Sequence, residues 1–195
     1  LGAVLTGGED EIFMATESGK SIRFNESDVR PMGRTARGVI GIRLAKDDAV
    51  VGMEALSGGK DILTVTRNGY GKRTPIEEYR LQGRGGSGII NIRAGARNGS
   101  VVASMEVGDG DQVMIITASG KLIRMGVDDV SRIGRATQGV RMITTAEEDF
   151  VASAIRTTGE EEPKNGVDAA PQEGGEGESP GGEAQAGDDE KEEGE

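Results

Sequence analysis

The segment Gln82-Gly83-Arg84-Gly85-Gly86-Ser87-Gly88 carries a skeleton, Gly-Arg-x-x-x-Gly, that the chain uses three times. Gly33-Arg34 leads to Gly38, Gly83-Arg84 to Gly88, and Gly134-Arg135 to Gly139, at steps of 50 and 51 residues. Glycine lets a backbone take positive φ and approach another surface closely, and the arginine guanidinium offers a planar fork of donors matched to phosphate or carboxylate. A motif returning at this interval makes the chain an array of related units.

Outward from each copy the plan repeats. In residues 10–56 the apolar run Ile12-Phe13-Met14-Ala15-Thr16 reads as a strand covered on both faces, Glu17-Ser18-Gly19-Lys20 as a tight turn, and Ile22-Arg23-Phe24 as the returning strand. The Gly-Arg loop follows, then residues 38–43 as a third strand and Val50-Val51-Gly52-Met53 as a fourth. Residues 61–107 repeat this with Asn68-Gly69 at the hairpin, a pair suited to a turn with positive φ at both central residues. Residues 111–157 repeat it again, with Ser119-Gly120 at the turn. Four short strands at a period near 50 predict an all-β, propeller-like array of four-stranded blades. Paired helices are excluded by the glycines that interrupt every candidate segment. Residues 1–6 read as the last strand of an earlier unit; with Leu1 in place of methionine and too few blades to close a ring, the chain reads as a fragment.

Charge divides the chain in two. Residues 1–157 hold 21 Lys and Arg, 16 of them Arg, against 20 Asp and Glu, whereas residues 158–195 hold 2 against 14. The net charge of -11 therefore belongs to the tail, which has almost no large apolar residue and reads as disordered. There is no cysteine and no histidine, so thiolate chemistry and the usual neutral-pH base are absent, and a reducing cytoplasm is the natural compartment. No apolar run approaches the roughly 18 residues of a membrane span.

The candidate binding residues follow the repeat. Arg34, Arg84 and Arg135 form one row, Arg23, Arg73 and Arg124 a second, and Arg43 and Arg93 an incomplete third. Such rows suit a polyanion with regularly spaced phosphates. Lys72 beside Arg73 joins them, and the backbone amides of Gly85 and Gly86 are placed to face a phosphate. The second row also admits local pairing, because Asp28, Glu78 and Asp129 lie five residues after its arginines. Tyr79 reads as a packing residue, and so few aromatics argue against single-strand recognition by stacking. No catalytic or metal-binding constellation emerges.

Residues 11–44, 61–107 and 111–155, and in particular Asn68-Gly69-Tyr70-Gly71-Lys72-Arg73-Thr74 and Val130-Ser131-Arg132-Ile133-Gly134-Arg135-Ala136-Thr137-Gln138-Gly139-Val140, resemble the C-terminal domain of DNA gyrase A. The similarity extends over residues 1–157 and looks like the last three blades of that domain followed by its acidic tail. The resemblance implies a beta-pinwheel whose rim binds and bends double-stranded DNA without sequence specificity, in support of ATP-dependent negative supercoiling. It implies DNA gyrase B and the N-terminal part of gyrase A as partners, a bacterial nucleoid-associated location, and ATP and Mg2+ for the holoenzyme, with no cofactor in this chain. The family's box, Gln-Arg-Arg-Gly-Gly-Lys-Gly, belongs to the first blade; Gln82 to Gly88 is a degenerate counterpart, with Gly83 and Ser87 where the box is basic. Alternatives are the related C-terminal domain of topoisomerase IV and a protein-binding propeller.

Overall fold

The computed structural model describes residues 2–58 and 60–158. Each unit begins with the predicted hairpin: an apolar strand needs a partner for its backbone groups, and a tight turn supplies the nearest one. These are β1 (Glu11–Thr16) with β2 (Lys20–Asn25), β4 (Asp61–Thr66) with β5 (Tyr70–Pro75), and β8 (Gln112–Thr117) with β9 (Leu122–Gly126). The last strand of each unit, β3 (Val50–Leu56), β7 (Val101–Val107) or β11 (Val151–Thr157), pairs antiparallel with the other side of the first. β4 is buried along its whole length, which explains its unbroken apolar and threonine sequence.

The third segments depart from the simple blade. β6 (Ile89–Ile90) pairs not within its own unit but with β2 of the unit before, Lys20 facing Ile90 and Ser21 facing Ile89. β10 (Val140–Arg141) does the same to β5, through Val140 and Gly71 and through Arg141 and Tyr70. The sheets are therefore ordered β3-β1-β2-β6, β10-β5-β4-β7 and β11-β8-β9, the last with three strands. Residues 38–43, expected as a strand, carry none, and neither do residues 2–7. Both lack a ladder partner among the described residues, and an unpaired segment gains nothing from extended geometry. The acidic tail lies outside the described residues beyond position 158.

One core, of Ile12, Ile22, Phe24 and Ile42, lies within the first unit, and two sit between blades. Phe13 and Ala15 of the first pack on Ile62, Ile76 and Tyr79 of the second. Phe13 meets Tyr79 edge to face at 5.1 Å, and the Tyr79 hydroxyl donates to Asn91 Oδ1 at 2.7 Å. Leu63, Val65 and Met105 of the second blade pack on Val113, Ile115 and Val130 of the third.

Exchange of the third segment makes one glycine of each Gly-Arg loop indispensable at these two junctions. Gly88 has φ +68°, and a Cβ there would lie 2.4 Å from the Ser21 carbonyl oxygen; at Gly139, φ +76°, it would lie 2.7 Å from that of Gly71. Gly83 has no such constraint, with nothing within 4 Å of its Cβ position. Gly88→Ala is expected to destabilise the chain by at least about 1–3 kcal/mol, and Gly83→Ala to stay within about 0.5 kcal/mol of the parent. Denaturant midpoints check this, and equal midpoints for the two variants would remove the close approach at Gly88.

Candidate nucleic-acid interface

Each of the second and third Gly-Arg loops lies across the junction with the blade before it. Gln82 N donates to Arg23 O, Gly85 N to Gly41 O, and Arg43 N to Gly86 O at 2.8 Å. At the next junction Ile133 N donates to Arg73 O and Arg93 N to Thr137 O, both at 2.8 Å. Arg43 and Arg93 thereby stand against the loops of the following blades, and both are exposed. Neither side chain, nor that of exposed Arg34, makes a hydrogen bond or ion pair among the described residues.

Arg84 and Arg135 are held rather than free. The Arg84 guanidinium donates to Asp28 O and Ile40 O, each at 2.9 Å. Arg135 donates to Ile90 O at 2.7 Å and leans over the Tyr79 ring, 5.9 Å from its centroid. All these acceptors are neutral carbonyls or a ring, so neither guanidinium is ion-paired; the Glu78 carboxylate beside Arg135 accepts instead from its backbone amide at 3.2 Å.

The second row differs. Arg23 pairs with Glu11, Nε to Oε2 at 2.6 Å, and reaches the carbonyls of Ile76 and Tyr79, each at 3.0 Å. Arg73 donates to Val130 O and Asp128 Oδ1, both at 3.0 Å, and lies 3.7 Å from Asp61. Arg124 donates to Gln112. In the first two blades these arginines brace the next blade's 3-10 turn, Ile76–Glu78 or Val127–Asp129, and spend their charge on carboxylates. Their acidic partners are Glu11, Asp61 and Asp128, not the residues five positions on.

Two expected contacts are corrected. Gly85 cannot offer its amide to a phosphate, because that N–H is donated to Gly41 O; the Gly86 amide has no such backbone partner among the described residues. Lys72 is fully buried, and its ammonium donates to Thr74 Oγ1 at 2.7 Å and to the carbonyls of Gly134 and Arg135, each at 3.0 Å. It fastens the third Gly-Arg loop from beneath. Ile22 takes the corresponding buried place in the first blade. Burial pushes Lys72 down to about 7, opposed by the carboxylate of Glu78 and reinforced by the cation of Arg135.

Sequence reading missed Arg97 and Arg141, which belong to no row. Their guanidinium carbons lie 5.1 and 5.0 Å from the ring centroid of buried Tyr70. The one available signal was Tyr70 itself, unmatched in the other units, standing where an exchanged strand arrives.

Blades that each take a strand from the next, with arginine-bearing loops along the junctions, define a beta-pinwheel, a propeller-like class of domain. A family model described as "DNA gyrase C-terminal domain, beta-propeller" matches residues 10–57, 60–107 and 111–158, and the chain belongs to that family. It is 46% identical over 178 residues to the DNA gyrase A protein of Klebsiella oxytoca and 44% identical over 176 residues to that of Escherichia coli (strain K12). Those alignments cover 90% and 89% of this chain but 20% of each relative, so the chain spans about a fifth of their length. Among solved structures it is similar to a DNA gyrase A C-terminal domain, with TM-score 0.72 and 25% identity over 77% of this chain and 52% of that one. It is also similar in fold to the C-terminal domain of a DNA topoisomerase IV, with TM-score 0.75 and 24% identity over 80% of this chain and 49% of that one.

Lys72 makes stability depend on pH. Its folded value near 7 lies below the ordinary 10.5, so between the two the unfolded chain binds more protons and stability rises with pH, to be lost again as pH falls through 7. The difference in unfolding free energy between wild type and Lys72→Met should therefore change between pH 7 and pH 10, in favour of wild type at the higher pH; a constant difference would show that the buried ammonium keeps its ordinary affinity for a proton. The arginine rows separate by salt. Arg84→Ala should lower the slope of log K for duplex DNA against log salt by about one, whereas Arg73→Ala should lower the denaturation midpoint and leave that slope alone. The opposite pattern would exchange the two rows' roles.

Proposed function

We propose that this chain binds and bends duplex DNA along the loop-bearing edge of its blades, as the DNA-wrapping part of a gyrase A protein. The observation that carries the reading is the repeat of exposed or oriented arginines without a carboxylate partner at the two junctions, Arg43 with Arg84 and Arg93 with Arg135, together with exposed Arg34 on the first Gly-Arg loop. Phosphate contacts position a protein on DNA without reading sequence, and a curved row of them is what bending requires. Arg23, Arg73, Lys72 and the Gly85 amide leave the contact list because their donors are spent within the protein.

In this reading the wrap presents a DNA segment to a type II topoisomerase made with gyrase B and the rest of gyrase A. ATP and Mg2+ serve that assembly outside the chain. The acidic residues after 157, 2 basic against 14 acidic, compete with DNA for the basic edge. The fold likeness to the topoisomerase IV domain supports a second reading, DNA unlinking by a related enzyme. A nicked circle sealed by ligase in the presence of the full chain should close with its mean linking number displaced, and displaced further, most at low salt, when residues 158–195 are removed. A distribution centred where it lies without protein would reject wrapping, and no gain on tail removal would reject competition.

A further inference from the structure

Tyr70, Arg97 and Arg141 form a charged cluster that the repeat does not explain. Tyr70 is 5% exposed at the start of β5, and Arg141 of the exchanged strand β10 lies opposite it in the ladder. Arg141 donates Nη2 to the phenol oxygen at 2.8 Å, and the Arg97 guanidinium carbon lies 5.1 Å from the centroid of the same ring. Both arginines are exposed and neither has a carboxylate partner among the described residues. Arg97 also reaches Gln138 Oε1 of the third Gly-Arg loop at 3.4 Å.

Two guanidinium groups gathered about one neutral ring repel each other, and no carboxylate among the described residues pairs with either to offset the repulsion. An oxyanion would. Its oxygens can accept from both forks at once, in the geometry that makes arginine the usual reader of phosphate. The neighbouring cations, Arg97 and then Arg141, also hold the Tyr70 phenol below its ordinary value, as expected where positive potential is left uncompensated. The first junction has no such cluster, since Ile90 pairs there where Arg141 pairs here.

We infer that Arg97 and Arg141, positioned by Tyr70, form a phosphate-binding station at the junction of the second and third blades, taking one phosphodiester of the bound DNA. The inference rests on the DNA-binding reading for its natural ligand, and the test keeps the two apart. In one arm the full chain is titrated with base while near-ultraviolet absorbance follows tyrosine ionisation. Tyr79, raised by burial, ionises later than Tyr70. Inorganic phosphate, against chloride at the same ionic strength, should delay Tyr70 ionisation in wild type and not in Arg97→Gln/Arg141→Gln. No delay in wild type overturns the station.

The second arm measures duplex DNA affinity against salt. The double glutamine variant should lower the slope by about one, and Arg97→Lys/Arg141→Lys should restore it. An unchanged slope, or a loss of about two that gives each arginine its own phosphate, overturns a shared station. A wild-type chain that shows the tyrosine delay but no salt-dependent DNA affinity would keep the station and remove the DNA reading.

Discussion

Everything in this domain depends on how the outer edges of β2 and β5 are satisfied. A hairpin strand leaves one row of N–H and C=O groups open, and an open edge is both costly and adhesive. Here the row is closed by two residues of the following unit, β6 on β2 and β10 on β5. The repeat in sequence is therefore not the blade in space. Each of these two blades borrows a strand from its successor, so its stability is tied to its neighbour's, as in other arrays coupled through adjacent units.

That borrowing sets the chemistry of the loop that delivers the strand. The loop must cross the junction, so its last glycine presses on a strand of the earlier blade and its backbone is bonded there. Its arginine reaches a carbonyl just ahead of the junction, Ile40 O for Arg84 and Ile90 O for Arg135. The Gly-Arg motif is thus a junction device first. Its value for binding follows from the fact that junctions recur.

Hairpins and period were legible because they are local: an apolar run, a turn with glycine, a returning strand. The polar network of Thr64, Asn91, Ser104 and Tyr79 was not, since its members come from four separate segments. Exchange was hidden for the same reason, as residues 38–43 and 89–90 look alike in sequence and differ only in whether a preceding hairpin is there to receive them. Burial also overruled composition at Lys72. A lysine next to an arginine in a basic unit reads as surface, yet a place filled by Ile22 in one blade takes an ammonium in another, because the carbonyls of Gly134 and Arg135 lie within reach.

The arginines finally sort by what they are bonded to rather than by how exposed they are. Arg23 and Arg73 face carboxylates, and at close range such pairing cancels most of the field a DNA phosphate would feel. Arg84 and Arg135 face carbonyl oxygens, which fix the guanidinium in place while leaving its unit charge intact. A cation immobilised in advance loses less side-chain entropy when a phosphate arrives than a free one such as Arg34. The same reasoning ranks Arg97 and Arg141, held against a neutral phenol, above more exposed but unrestrained positions. Positive charge that is oriented and unneutralised is scarce in this chain, and it collects at the blade junctions because there the fold supplies spare carbonyl and hydroxyl oxygens to hold it.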